Sequence, residues 1–439
     1  MMGQTEWGFK VESTSAKITP VAGVVLVDRV AQALGVGASL EERLGHLKRR
    51  RRGYRVSDKV MDLVRLVVSG GRALSDLRVL RGDEVLEGAL GREALGLPSA
   101  MAGSTAVEFL GQLGAHEVQQ LSRIAGRAAA DTLHLSRREM ATLDVDATFI
   151  EAHKREAHMS YHGEPGYYPM LGFVAETEGC LLAEFREGNA SPSARALPFL
   201  KQLVARLPAT VKRIRLRSDS AWFNHAVLDW AGGLGLAGER GIEFAATAEK
   251  NRHMLDVIEA IRPEAWQVFE HDPTEQIAES VYSFEHGARA YRILVLRRPM
   301  RQLEMFRGLY EYRVVITNMA WEARRLVRWH RERATSENWI KELKAGFGLE
   351  RLPSGRFLSN AAYLEIVALA YNLVGALKVL SLPVGWRSWT IKTLRFRLLH
   401  IAAIWVRHAR QCVLKLRAPA ALIALFRRVL AQPLRPCPT

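Results

Sequence analysis

Apolar residues along this chain follow two grammars, and the places where one replaces the other divide it. From Val21 to about Leu47, from Val60 to Val68 and from Ser104 to Ile124, hydrophobic side chains recur every three or four residues. That is the period of a helix packed on one side. Ser39 and Ser57 stand where helix caps are expected, Gly70-Gly71 breaks the pattern, and a further helical stretch begins near Ser75. The segment Pro98–Gly103 reads as a linker. The first twenty residues predict an irregular or strand-forming arm, and residues 1–137 as a whole an all-α unit.

Near Leu143 the period drops to two. Thr142–Ile150 (TLDVDATFI) alternates, with Leu143, Val145 and Ala147 on one face and Asp144 and Asp146 on the other. Pro169–Ala175 and Leu181–Arg186 predict two more strands across the Glu178-Gly179 turn. A helix over Pro192–Leu207, a strand over Val211–Asp219, a helix over Phe223–Leu236 and a strand over Ile242–Ala248 follow. The order β-β-β-α-β-α-β predicts an α/β fold with a ribonuclease-H-like mixed sheet and helices on both faces. Residues 251–320 alternate short β-prone pieces with polar turns and read as a β-rich insertion before the last helix of the core. Residues 138–250 and 321–382 are then the two parts of the core, with a long apolar helix over Asn360–Leu380. Residues 383–439 predict a basic, helical C-terminal region.

Net charge changes the picture. The chain carries +16 at pH 7 and a pI near 10.0, a balance suited to a polyanionic partner, nucleic acid or a membrane surface. Its most concentrated cationic run is Lys48, Arg49, Arg50, Arg51 and Arg52, either a solvated loop or a phosphate-binding strip. A membrane surface fits the charge but lacks a basic amphipathic anchor, and no apolar run is expected to span a bilayer. The three cysteines, Cys180, Cys412 and Cys437, lack the spacing of a zinc site or a disulfide framework. The N-terminal stretch has no apolar core of the kind a signal peptide needs. A cytoplasmic, reducing setting is the expectation.

Candidate chemistry gathers at His330–Lys344, HRERATSENWIKELK. On one continuous helix, at about 100° per residue, His330, Arg333, Glu337 and Lys344 would share a stripe that sets an acid among cations. Glu337 and Lys341 could equally form an ordinary i, i+4 ion pair. Asp146 on the first strand and Asp219 at the end of the fourth lie where a sheet of this topology exposes ligands. Phosphodiester hydrolysis or transfer suits carboxylates that hold two hard divalent cations. Taken singly, Asp219 could as well cap a turn, and Asp144 and Asp146 could line a solvent-facing edge.

Together these motifs carry a resemblance. H-x2-R-x3-E-x6-K resembles the Y-x2-R-x3-E-x6-K signature of insertion-sequence DDE transposases of the insertion-sequence-four group. The fragments LDVDAT, RLRSDSAWF, HRERATSENWIKELKAGFG and RLPSGRF…NAAYLEIVALAYNL are similar, more narrowly, to the insertion-sequence thirteen-eighty family. The likeness runs from about Leu143 to Leu380. It implies a catalytic, metal-holding triad of Asp146, Asp219 and Glu337, spaced 219 − 146 = 73 and 337 − 219 = 118 residues apart, with Asp144 a possible additional acid. It also implies two Mg²⁺ ions, with Mn²⁺ as substitute, and DNA-binding roles for His330, Arg333, Lys341 and Lys344 beside the Lys48–Arg52 run. Its partners would be terminal inverted repeats and target DNA, held by a homodimer in a synaptic complex in a bacterial cytoplasm, at the nucleoid when bound to DNA. The departure is His330, where the group has Tyr. Two rivals remain: a nuclease or resolvase of the same fold that only hydrolyses, and a DNA-binding protein without catalysis.

Overall fold

The computed structural model describes residues 11–434 except 49, 51, 93–95, 162, 192, 234–240, 271, 286, 288, 301–309, 409 and 410. Near the N-terminus, β1 (Ile18–Thr19) precedes a set of helices that includes Val24–Ala33, Val56–Ser69, Gly103–Gln112 and Ala115–Leu135. The chain then enters the sheet with β2 (Met140–Ala147). Short strands β3 (Ile150–Glu151), β4 (His158–Met159) and β5 (Pro165–Tyr167) form a separate three-stranded ribbon. β6 (Met170–Val174), β7 (Gly179–Glu184), β8 (Arg213–Ser218) and β9 (Ile242–Thr247) complete the five strands expected of the core. Their order is β7-β6-β2-β8-β9. β2, β8 and β9 run parallel, and β6 is antiparallel to both β2 and β7.

The stretch expected to form a β-rich insertion belongs to the same sheet. β10 (Gln267–Phe269), β11 (Asp272–Ser283), β12 (Ala290–Pro299) and β13 (Tyr310–Thr317) form an antiparallel meander. β13 joins it to β9, with Val315 opposite Thr247 and Thr317 opposite Ala245, to give nine strands. Both faces of β13 are apolar. Val314 and Ile316 enter one core cluster and Val315 another, so the strand is at home inside a sheet.

The 24-residue helix Phe357–Leu380 is buried on nearly every side, as a helix apolar all round must be. It is long and apolar enough to cross a membrane, contrary to the expectation from the sequence, but 83% of its apolar window is buried inside the protein. The N-terminal helices and this core helix share one hydrophobic core, which runs from Val21 to Val429. Asn372 stitches the layers together. Its side-chain oxygen accepts from the Cys180 amide at 2.9 Å, and its Nδ2 donates to Ala125 and Cys180 carbonyls at 2.8 Å each. Helix Ala115–Leu135 meets β7 closely at Gly126, where a Cβ would lie 2.4 Å from the Leu181 carbonyl oxygen.

Two expectations need correction. Residues 383–439 are not simply helical. β14 (Ala403–His408) and β15 (Gln411–Leu416) form a hairpin that pairs with β1. The sequence IWVRH…QCVLKL is rich in β-branched residues, and the count of basic residues masked that preference. Nor is His330–Lys344 one helix. Helix Ala323–Arg331 gives way to a 3₁₀ turn, Glu332–Ala334, then to helix Thr335–Lys341 and a π turn, Glu342–Gly346. A wheel of 100° per residue does not carry across those changes of pitch.

Candidate metal and phosphodiester site

The alternation of β2 buries Ala141, Leu143 and Val145 and leaves Thr142, Asp144 and Asp146 on the opposite face. The parallel pairing of β2 with β8 sets Asp144 opposite Arg217. Two residues further along each strand come Asp146 and Asp219, at the carboxyl ends of adjacent strands, where open sheets present ligands. Asp146 accepts from the Ala147 amide at 2.8 Å, and Asp219 accepts from the Ala221 amide at 3.1 Å, capping the turn Ser220–Trp222. Asp219 thus has its capping role and a place at the strand ends together.

Charge at this edge is unbalanced. Burial raises the Asp146 carboxyl from the usual 3.8 to about 6, with Asp219 and then Glu337 adding to the rise while Arg333 opposes it. Burial also raises Asp219, again against Arg333. Arg333 reaches Asp146 with Nη1 at 3.3 Å from Oδ2. Glu337 is exposed, one helical turn beyond Arg333. Asp146, Asp219 and Glu337 do not all bring a ligand atom within 4.8 Å of one another. Among the described residues one group does close within that distance, Glu151, His153 and Glu164, all exposed. It lies outside the sheet edge, and nothing else in its surroundings points to a bound ion.

Asp144 is differently placed. It is fully buried, and both its oxygens are taken by Arg217, Nε to Oδ1 at 2.8 Å and Nη2 to Oδ2 at 2.7 Å. Burial works against the charge on Arg217, yet Asp144 and then Glu332 raise the guanidinium above its usual pKa. Arg217 also donates to the Trp329 carbonyl at 2.9 Å and to Glu332 at 3.0 Å. It therefore ties helix Ala323–Arg331 to the sheet and sets where Arg333 and Glu337 begin. Sequence pattern alone does not single out Arg217. Its signal is a cation inside an alternating strand, legible only once the register with β2 is known.

The remaining candidates spread out. His330 was expected to meet phosphate; it is buried instead, and its Nε2–H donates to the Ser218 carbonyl at 3.1 Å, next to Asp219. Burial depresses it from 6.5 to about 4, with Arg333 and Arg217 adding to the fall, so it is neutral at physiological pH. Lys344 was also expected to meet phosphate. Its Nζ donates to the Phe149 carbonyl at 2.7 Å and lies 3.5 Å from Thr148 Oγ1, holding the loop that leaves β2. Lys341 is exposed, about 40° around its helix from Glu337, beside a cleft with Asn338 and Trp389. Lys48 donates to the Gly53 carbonyl at 3.2 Å, Arg50 and Arg52 are exposed, and Arg49 and Arg51 lie outside the described residues.

A mixed α/β sheet with partly buried carboxylates brought together at the ends of adjacent parallel strands defines a class of protein with an acidic site at the sheet's end. The family follows from comparison with known proteins: a family model described as transposase DDE domain group 1 matches residues 6–437. The chain therefore belongs to the DDE transposases, a metal-dependent family whose activity is DNA transposition. No curated protein matches it. Among solved structures it is similar to the piggyBac transposase synaptic complex with hairpin DNA. The TM-score is 0.44 and the identity 10%, over 86% of this chain and 80% of that one.

Proposed function

We propose that Asp146, Asp219 and Glu337 form the catalytic carboxylate set of a cut-and-paste transposase of an insertion sequence, of the insertion-sequence-four group and most like its thirteen-eighty family. The observation that carries this reading is the meeting of Asp146 and Asp219 at the ends of two parallel strands, with Glu337 acting on the same carboxyl. These residues would hold two Mg²⁺ ions, with Mn²⁺ as substitute, and the ions would supply Lewis-acid activation of the attacking oxygen and charge neutralisation at the leaving one. Ionised Asp146 and Asp219 are costly without cations, so the edge attracts them. Arg333 lies against Asp146 and could steady a phosphate oxygen by charge-assisted hydrogen bonds. Hydrolysis would free a 3′-hydroxyl at each element end, and that hydroxyl would attack target DNA in line. Pairing two ends calls for two copies, so a homodimer on DNA is part of the proposal, in the cytoplasm of its host.

The test is cleavage of a plasmid that carries the DNA flanking this gene, by Asp146→Asn, Asp219→Asn and Glu337→Gln proteins. Each variant should bind the ends and fail to cut them in Mg²⁺ or Mn²⁺. Wild-type cutting by any one would remove that residue from the set. Products joined to target DNA separate transposition from hydrolysis alone.

A further inference from the structure

A cleft of about 730 Å³ runs along the flank of helix Thr335–Lys341 on the side of the C-terminal region. Its wall includes Thr335, Asn338 and Lys341 from that helix, Trp389 and Lys392 from the C-terminal region, and Arg72 from the turn after helix Val56–Ser69. On the helix, Lys341 lies about 40° and Asn338 about 100° around the axis from Glu337. The cleft therefore begins within a quarter turn of an acid assigned to the reaction.

Several exposed cations of the protein meet carboxylates, as in Arg328 with Glu270, Arg331 with Glu275 and Lys212 with Glu139. In the cleft, Lys378 faces Glu178 at 3.7 Å, and Arg395 is spent on the Val67, Val68 and Gly346 carbonyls. Glu342 accepts from the Ile391 amide at 2.6 Å. Arg72, Lys341 and Lys392 are exposed, and among the described residues their side chains have no ion pair or hydrogen bond. Arg397 stacks on Trp389 at 5.0 Å, and Trp389 on Trp386 at 4.2 Å. Between Arg395 and Arg397, Phe396 is 83% exposed and among the described residues makes no ring contact.

We infer that this cleft is a second DNA surface, which holds the backbone of the duplex being cut on the far side of Glu337 from the sheet. Arg72, Lys341 and Lys392 neutralise successive phosphates, Thr335 and Asn338 offer them hydrogen bonds, and Phe396 packs on the sugar edge. The charge pattern favours a polyanion. The position of Lys341, one turn from Glu337, favours the strand that enters the site over a target duplex arriving from elsewhere. The inference rests on the function proposed above.

The experiment measures affinity for a 40-base-pair duplex taken from the element's end, as a function of salt, together with cutting. The Arg72→Gln/Lys341→Gln/Lys392→Gln protein should flatten the slope of log K against log salt by about 0.9 for each phosphate no longer neutralised. Lys201→Gln, an exposed cation far from the cleft, should leave the slope alone. Phe396→Ala should weaken binding several-fold with the slope unchanged, because it removes an apolar surface and no charge. Thermal melting of every variant should match wild type, since each altered side chain is exposed. An unchanged slope in the triple variant, with Glu337→Gln still inactive, overturns the cleft and leaves the catalytic set standing. Full cutting by Glu337→Gln overturns the catalytic set instead, whatever the slope. A flattened slope on target duplex but not on the end duplex also overturns the assignment.

Discussion

Asp144 and Asp146 point the same way from one strand, two residues apart, and end in opposite electrostatic situations. Across from Asp144 on the parallel strand stands Arg217, which takes both carboxylate oxygens. Two steps further on both strands, Asp146 comes beside Asp219, an acid next to an acid. The first pair is sealed and joins the helix that carries Arg333 to the sheet. The second pair is left short of positive charge at an open edge, with Arg333 its only close cation at 3.3 Å among the described residues. One strand register thus makes a sealed ion pair and a cluster of unneutralised acids from the same residue type. Like charges set near each other destabilise a sheet, and the metal role proposed for Asp146 and Asp219 would account for that cost.

The sharpest way to break the comparison is to neutralise each acid in turn. Asp146→Asn should lower cutting by about a thousandfold, the several kcal/mol that loss of a metal ligand costs, without loss of stability in urea. Asp144→Asn should do the reverse. It takes the buried carboxylate from Arg217 and leaves only the exposed Glu332, which costs about 3–5 kcal/mol of stability, while end binding by the folded fraction persists. If Asp144→Asn is inactive at wild-type stability, the division of labour between the two acids is wrong.

Acidity offers a second test, in the absence of divalent ions. The folded-state pKa of Asp146 is raised from 3.8 to about 6. Between those values the native state binds more protons than the unfolded one, so this group's contribution to stability falls as pH rises through that window. Asp146→Asn removes the fall. Its stability relative to wild type should rise by about 3 kcal/mol between pH 3.5 and 7, and added Mg²⁺ should narrow the gap by stabilising wild type alone. A constant difference across that range would mean Asp146 is not strained by its neighbours.

Smaller effects bear on the cations. Lys344→Met should destabilise by about 1.5–3 kcal/mol through loss of a charged hydrogen bond to the Phe149 carbonyl, measured by urea unfolding; a drop in cutting with no change in stability would return Lys344 to a phosphate-binding role. The smallest change is expected from Arg50→Gln/Arg52→Gln, below about 0.5 kcal/mol in stability. If these side chains meet phosphate, the salt dependence of DNA binding should flatten by about 0.9 for each; an unchanged slope would make the run a solvated loop.

Much of the sheet could be read from local pattern. The alternation in TLDVDATF and RIRLRS, the turn at Glu178-Gly179 and the apolar helix after Asn360 each carry their signal within a few residues. The acids Asp146, Asp219 and Glu337 are singled out by the resemblance of their motifs to a known family, since each taken singly reads as an ordinary turn or surface residue. Local pattern failed where a short apolar run met a high count of basic residues, as in β14 and β15. It failed again where a helix changes pitch, so that Lys344 and His330 no longer share a face with Glu337.

The sequence by itself therefore determined the kinds and order of the core elements from β2 to β9 and which acids end which strands, because helix and strand periods are properties of neighbouring residues. Only the tertiary structure decided what each charge does. Asp144 and Arg217 are 73 residues apart, and His330 lies 112 residues from the carbonyl it meets. Whether an acid is sealed by a cation or set against another acid depends on strand register and burial. Both arise only when segments far apart in the chain pack together, and neither leaves a mark in the local pattern.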